Sequence, residues 1–80
     1  MLELYKDVAL TRDVPEYQLK AWDIAVLVDF LPHPEGGEKG CCLEVFNAVG
    51  ESISVVTVPV SAVKELQSDE VLSVRSLAQI

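Results

Sequence analysis

This sequence lacks long hydrophobic runs and clusters of basic residues. No apolar run approaches the roughly 20 residues that a membrane-spanning helix needs, and the N-terminus lacks the basic start and apolar core of a signal peptide. Six basic residues stand singly against thirteen acidic ones, for a formal net charge of −7. Because affinity for nucleic acids and anionic membranes comes largely from Lys and Arg, neither is expected as a partner. We expect a cytoplasmic protein.

Residues that carry catalysis or hold metals are also scarce. Cys41 and Cys42 are neighbours, so they cannot join distant segments through a disulfide. In a strand their side chains point to opposite faces, which predicts one buried thiol and one surface thiol. The alternatives are a redox-sensitive pair and a metal site with His33. The single histidine, His33, lies between two prolines and is interpreted as a solvated loop residue, with a general base or metal ligand as the alternative.

Zinc sites normally take three or four ligands at characteristic spacings, and this sequence does not supply such a set. A nucleophile motif and a phosphate-binding glycine loop are missing as well. The sequence therefore predicts no enzyme activity, no metal and no cofactor.

What the sequence has in excess is apolar side chains. Half of its 80 residues are hydrophobic and about a quarter are charged, which predicts one folded domain over residues 1–80. A domain of this size has little interior, so part of the apolar surface must be exposed. Large exposed apolar patches mark interfaces, and we therefore expect a homo-oligomer or a protein partner.

Four segments have the β-branched and apolar composition of strands. They are Asp7–Thr11, Asp23–Leu31, Gly40–Phe46 and Ser52–Val58. A loop at 32–38 and a turn at 47–51 make residues 23–58 an antiparallel meander. The two-residue period of a strand places two sets of side chains on one face each: Ile24, Val26, Val28 and Phe30 in one strand, and Ile53, Val55 and Thr57 in the other.

The segment after the meander begins with Pro59, which ends the ladder. Apolar residues recurring every three positions predict a 3₁₀ turn within Ser61–Leu66. Alternation over Glu70–Leu77 predicts a closing strand, and a helix beginning near Ser68 is the alternative. This order of elements predicts an all-β fold: a small SH3-like, partly open barrel of about five strands with a short 3₁₀ turn before the last strand.

The long connection Arg12–Trp22 contains Pro15 and has no clear period, so it is not a central strand. Its apolar residues Val14, Tyr17, Leu19 and Trp22 are expected to anchor it to the body. Acidic residues and aromatic residues are concentrated here, and this pattern is typical of a surface that selects a basic partner. The candidate partner-binding residues are Asp13, Glu16, Tyr17, Trp22 and Asp23.

Structural roles for these residues are the alternative. The carboxylates can form a solvated acidic rim, and Trp22 can cap one end of the barrel. Asp13, which precedes Val14-Pro15, can accept backbone hydrogen bonds and fix the loop.

The segments Leu4–Thr11 and Asp13–Lys20, together with Thr57-Val58-Pro59, resemble a family of small bacterial domains of unknown function. In that family an aliphatic strand is followed by Asp-aliphatic-Pro-Glu and then by Gly-Asp-x-Gly-x-Val. Here Trp22 and Ala25 replace the two glycines. The resemblance covers most of the chain and implies an SH3-like barrel, a bacterial origin and an antitoxin-like or accessory role.

The leading functional hypothesis is a non-catalytic protein-binding module for a basic partner protein. The alternative is a self-associating structural domain, a homodimer without a separate ligand. Nucleic-acid binding follows from fold analogy alone, and the acidic charge opposes it.

Overall fold

The computed structural model describes residues 2–32 and 37–77, which form one antiparallel sheet of five strands. The strands are β1 (Asp7–Leu10), β2 (Ile24–Leu31), β3 (Gly40–Phe46), β4 (Ser52–Pro59) and β5 (Val63–Glu65), and 3₁₀ turns occupy Pro15–Tyr17 and Val60–Ala62. The strand order is β4-β3-β2-β1-β5. The all-β prediction, including a 3₁₀ turn before the last strand, is confirmed, whereas the interpretation of His33 lies outside the described residues.

A single core lies inside this sheet. Every strand contributes buried apolar side chains to it: Val8 and Leu10 from β1, Ala25 and Leu27 from β2, Cys41, Leu43 and Val45 from β3, Val56 and Val58 from β4, and Val63 from β5. One sheet without a covering helix can bury the same face of all its strands only by curving around that face. The architecture is therefore that of a small, partly open barrel.

The faces of β2 differ from the prediction. Its pairing with β3 shifts register between Leu27 and Asp29, which is a β-bulge. Before the bulge, Ile24 and Val26 alternate with buried neighbours and lie on the outer face, whereas beyond it Phe30 packs against the core. The prediction that β2 keeps one apolar face throughout is wrong, because an extra residue reverses the direction of every later side chain.

The β3–β4 hairpin has the predicted turn, and its register comes from Asn47. The Asn47 side-chain oxygen accepts hydrogen bonds from the backbone N–H groups of Val49 and Glu51, and its amide donates to the Glu51 carboxylate. Gly50 has φ +88°, which glycine adopts without strain. In β4 the buried residues are Val56 and Val58. The residues Ile53, Val55 and Thr57 are exposed and form a row on the outer face.

The predicted C-terminal elements are displaced in sequence. The 3₁₀ turn covers only Val60–Ala62, and the chain then enters β5 at Val63 and pairs with β1. Residues 66–77 contain neither the predicted closing strand nor the alternative helix. The register explains why the last strand comes earlier in the sequence than predicted. Val63 is opposite Leu10 in the core, and the three residues of β5 already pair with the edge of β1 that β2 leaves open.

Candidate functional site

The connection between β1 and β2 is a hairpin-like loop, residues 11–23, that two of its four predicted anchors attach to the core. Val14 and Leu19 are buried and form an isolated bridge, with each backbone N–H donating to the carbonyl oxygen of the other residue. Between them lies the 3₁₀ turn, which Gln18 ends in a left-handed conformation. These hydrogen bonds connect the two ends of the loop tip, whose residues between Val14 and Leu19 are exposed.

Asp13 has the structural role expected of it. Its Oδ1 accepts a hydrogen bond of 2.9 Å from the backbone N–H of Ala21. This bond joins the outgoing and returning arms of the loop. Asp13 therefore positions the loop, and its carboxylate is only partly available to a partner.

The two aromatic residues predicted as anchors do not pack into the core. Tyr17, in the 3₁₀ turn, is 42% exposed, and Trp22 is 65% exposed. The prediction that they anchor the loop is wrong, and so is the alternative in which Trp22 caps the barrel. The physical reason is that Val14 and Leu19 already close the core beneath the loop.

Trp22 also has an uncommon backbone conformation. Its φ is +74°, and the Asp23 N–H donates to the Lys20 carbonyl, so Trp22 is the third residue of a turn that requires positive φ there. Glycine meets that requirement without strain. A second hydrogen bond, from the Trp22 N–H to the Leu10 carbonyl, fixes the bend against the end of β1.

The Asp23 carboxylate is already paired within the chain. Arg75, in the C-terminal segment, donates from two guanidinium nitrogens to the two Asp23 oxygens and from one of them to the Gln18 carbonyl. Burial acts to raise the pKa of Asp23, but the hydrogen bonds from Arg75 and from the Lys20 backbone N–H, with both positive charges, outweigh it, and the pKa lies below its ordinary value. Arg75 of the C-terminal segment thus links Gln18, at the end of the 3₁₀ turn, to Asp23.

The contact between Arg75 and Asp23 determines which acidic residue of the loop is available to bind a partner. Hydrogen bonding to Asp23 and the nearby charge of Asp13 raise the pKa of Arg75. Arg75 therefore interacts electrostatically with both carboxylates. Glu16, by contrast, is exposed in the 3₁₀ turn and makes no hydrogen bond or ion pair within the described part of the chain. Of the five predicted site residues, Glu16, Tyr17 and Trp22 are presented outward, and Asp13 and Asp23 hold the loop that presents them.

Tyr5 shares the two unusual properties of Trp22 and was not predicted as a site residue. It is 74% exposed and has φ +65°, with its N–H donating to the Leu27 carbonyl. The Trp22 N–H bonds to the carbonyl of Leu10, the last residue of β1, whereas Tyr5 lies two residues before β1 begins. No sequence pattern marks Tyr5, because its conformation arises from a tertiary backbone contact.

The adjacent cysteines, Cys41 and Cys42, follow the strand periodicity as predicted. Cys41 is fully buried in the core, Cys42 is half-buried on the outer face, and both are free thiols. Burial raises the pKa of the Cys41 thiol. Its thiol group is therefore a core side chain of low reactivity.

Within residues 2–32 and 37–77, no cluster of three or more His, Cys, Asp or Glu side chains is arranged to hold a metal ion. In the same residues no helix is both long and apolar enough to cross a membrane.

Comparison with known proteins gives no match to a family model, to a curated protein or to a solved structure.

Proposed function

We propose that this protein is a non-catalytic protein-binding module, and that the β1–β2 loop binds a partner protein with a basic surface. The binding surface consists of Glu16, Tyr17 and Trp22, while Asp13 and Asp23 hold the loop in its binding shape.

The observation that carries the proposal is the conformation of Trp22. A non-glycine residue in the left-handed region costs about 1–2 kcal/mol, and an indole exposed to water recovers little of that cost through packing. Strained residues of this kind concentrate at binding and catalytic sites. Trp is also one of the side chains that are enriched among the residues that dominate protein interfaces.

Electrostatics supports a basic partner. The net charge of −7 speeds the encounter with an oppositely charged protein, and Glu16 has a carboxylate that no described residue neutralises. The pair between Asp23 and Arg75 shows within the chain how this loop holds a guanidinium group.

The family resemblance adds a finer proposal, that the partner is a toxin-like protein for which this domain is an antitoxin-like or accessory subunit. Masking such a partner needs only a tight, charge-complementary contact, which the loop supplies without any reacting group.

Affinity purification from the native host tests the proposal. The tagged wild-type domain is expected to retain one basic protein in stoichiometric amount at moderate salt and to release it as salt rises, because screening weakens charge attraction. The bait Trp22→Gly keeps the backbone bend but removes the indole, and it is expected to lose that protein.

A matched control bait is Val49→Ser, which removes an exposed apolar side chain in the β3–β4 turn. It is expected to retain the partner. If Trp22→Gly captures the same protein as well as wild type does, the loop is not the binding surface and the proposal is wrong.

A further inference from the structure

The strand β4 lies at one edge of the sheet. It spans eight residues, pairs with β3 on one side, and has no strand on its other side within the described residues. Backbone N–H and C=O groups along such an edge are available to pair with another strand. The opposite edge, β5, is only three residues long and carries Lys64, whose ammonium group pairs with Glu70.

The central part of the β4 edge lacks the features that normally prevent pairing between molecules. Its sequence, Ser-Ile-Ser-Val-Val-Thr-Val-Pro, contains no charged residue, although 24% of the whole chain is charged. Two irregularities lie toward its ends: a register shift leaves Ile53 without a partner in β3, and Pro59 has no backbone N–H. The five residues between Ser54 and Val58 are regular, and β-branched residues predominate there, so this stretch has the composition of a pairing strand.

The chemistry of this edge favours a second copy of the same strand. Ile53, Val55 and Thr57 are exposed, and Val55 is 61% exposed. In an antiparallel pair centred on Val55, each Val55 is opposite its own copy, and Ser54 of each copy is opposite Val56 of the other. The central exposed pair is then β-branched on both sides, and such side chains pack well across neighbouring strands. A basic segment finds no carboxylate on β4 to recognise.

We propose that β4 pairs with β4 of a second copy across a two-fold axis at Val55 and joins the two sheets into one. This symmetric contact is closed, so it produces a dimer rather than a filament. Because β3 and β2 separate β4 from β1, the dimer leaves both β1–β2 loops accessible. A dimer carrying two such loops gains affinity for a repeated or dimeric partner.

The sign of the salt dependence separates this dimer from binding to a basic protein. Two copies, each with a net charge of −7, repel one another, so the dimer is expected to become tighter as salt rises from about 50 to about 500 mM. A complex with a basic partner weakens over the same range. Sedimentation equilibrium of the purified full chain is expected to give the mass of a dimer at tens of micromolar.

The variant Val55→Lys places two ammonium groups directly opposite each other across the axis. Its dissociation constant for the dimer is expected to rise at least about tenfold. The matched control is Val71→Lys, which makes the same chemical change at a residue 92% exposed in the C-terminal segment. It is expected to dimerise like wild type, and circular dichroism verifies that both variants fold.

A strictly monomeric wild-type mass at all concentrations and salt levels would overturn the proposal. So would a Val55→Lys variant that folds and dimerises as tightly as Val71→Lys, because the contact would then lie elsewhere. Both results leave the loop proposal standing, since Trp22 is not part of this edge.

Discussion

Replacing Trp22 by glycine is expected to give a more stable protein than replacing it by alanine. Both changes remove the whole indole, so whatever packing the ring contributes is lost equally in both. The two variants differ in the backbone: alanine retains the strain of φ +74°, and glycine does not. Their difference in the free energy of unfolding therefore measures the conformational strain at this bend.

The magnitude follows from two opposing terms. Relief of the left-handed conformation favours glycine by about 1–2 kcal/mol. The greater freedom of glycine in the unfolded chain opposes this by about 0.5–1 kcal/mol. We expect the free energy of unfolding of Trp22→Gly to exceed that of Trp22→Ala by about 1 kcal/mol. For a domain of this size that is a difference of about 4–8 °C in Tm.

Urea denaturation followed by circular dichroism, with thermal melts as a second measurement, gives this difference. Val49 is the control position, because it is exposed and is not among the described non-glycine residues with positive φ. Val49→Gly is expected to be no more stable than Val49→Ala. Equal stability of the two Trp22 variants, or an advantage for alanine, would refute the argument that this bend is strained.

Three further expectations concern acid sensitivity, thiol reactivity and the core. Asp23 has a folded-state pKa below its ordinary value of 3.8. Its contribution to stability is therefore present above that pH and is lost as the pH falls through the folded-state pKa. Asp23→Asn should lower the free energy of unfolding at pH 6 and have the same stability as wild type in strong acid. Alkylation of the native protein followed by mass spectrometry should modify Cys42 and spare Cys41 until urea unfolds the chain, and equal rates would contradict its burial. Leu27→Ala, at a fully buried position, should cost about 2–5 kcal/mol of unfolding free energy, whereas Val71→Ala should change it by less than about 0.5 kcal/mol.

The fold class could be predicted because its signals are local. Strand composition, the turn residues Asn47 and Gly50, and the interruption at Pro59 depend only on neighbours along the chain. The bounds of β3 agree with the prediction, and those of β2 and β4 differ from it by one residue each. The opposite faces of Cys41 and Cys42 follow in the same way from the two-residue period.

The closing strand could not be placed from sequence. Val63–Glu65 carries two charged residues in three, and it becomes a strand because β1 offers it an edge to pair with. The alternating Glu70–Leu77 segment has the better local pattern, yet it finds no strand to pair with among the described residues. Pairing partners decide strand formation, and partners are set by the whole fold.

The candidate site was likewise predicted from the sequence in part and determined by the tertiary structure in part. The sequence by itself determined the acidic charge, the aromatic and acidic content of the β1–β2 loop and the loop-fixing role of Asp13, because these depend on residue type and short spacings. Only the tertiary structure decided that Trp22 points outward from a left-handed bend, that Arg75 occupies Asp23, and that β4 is an open edge. Each of these results from contacts between residues far apart in the chain, whose geometry exists only once the sheet has curved around its core.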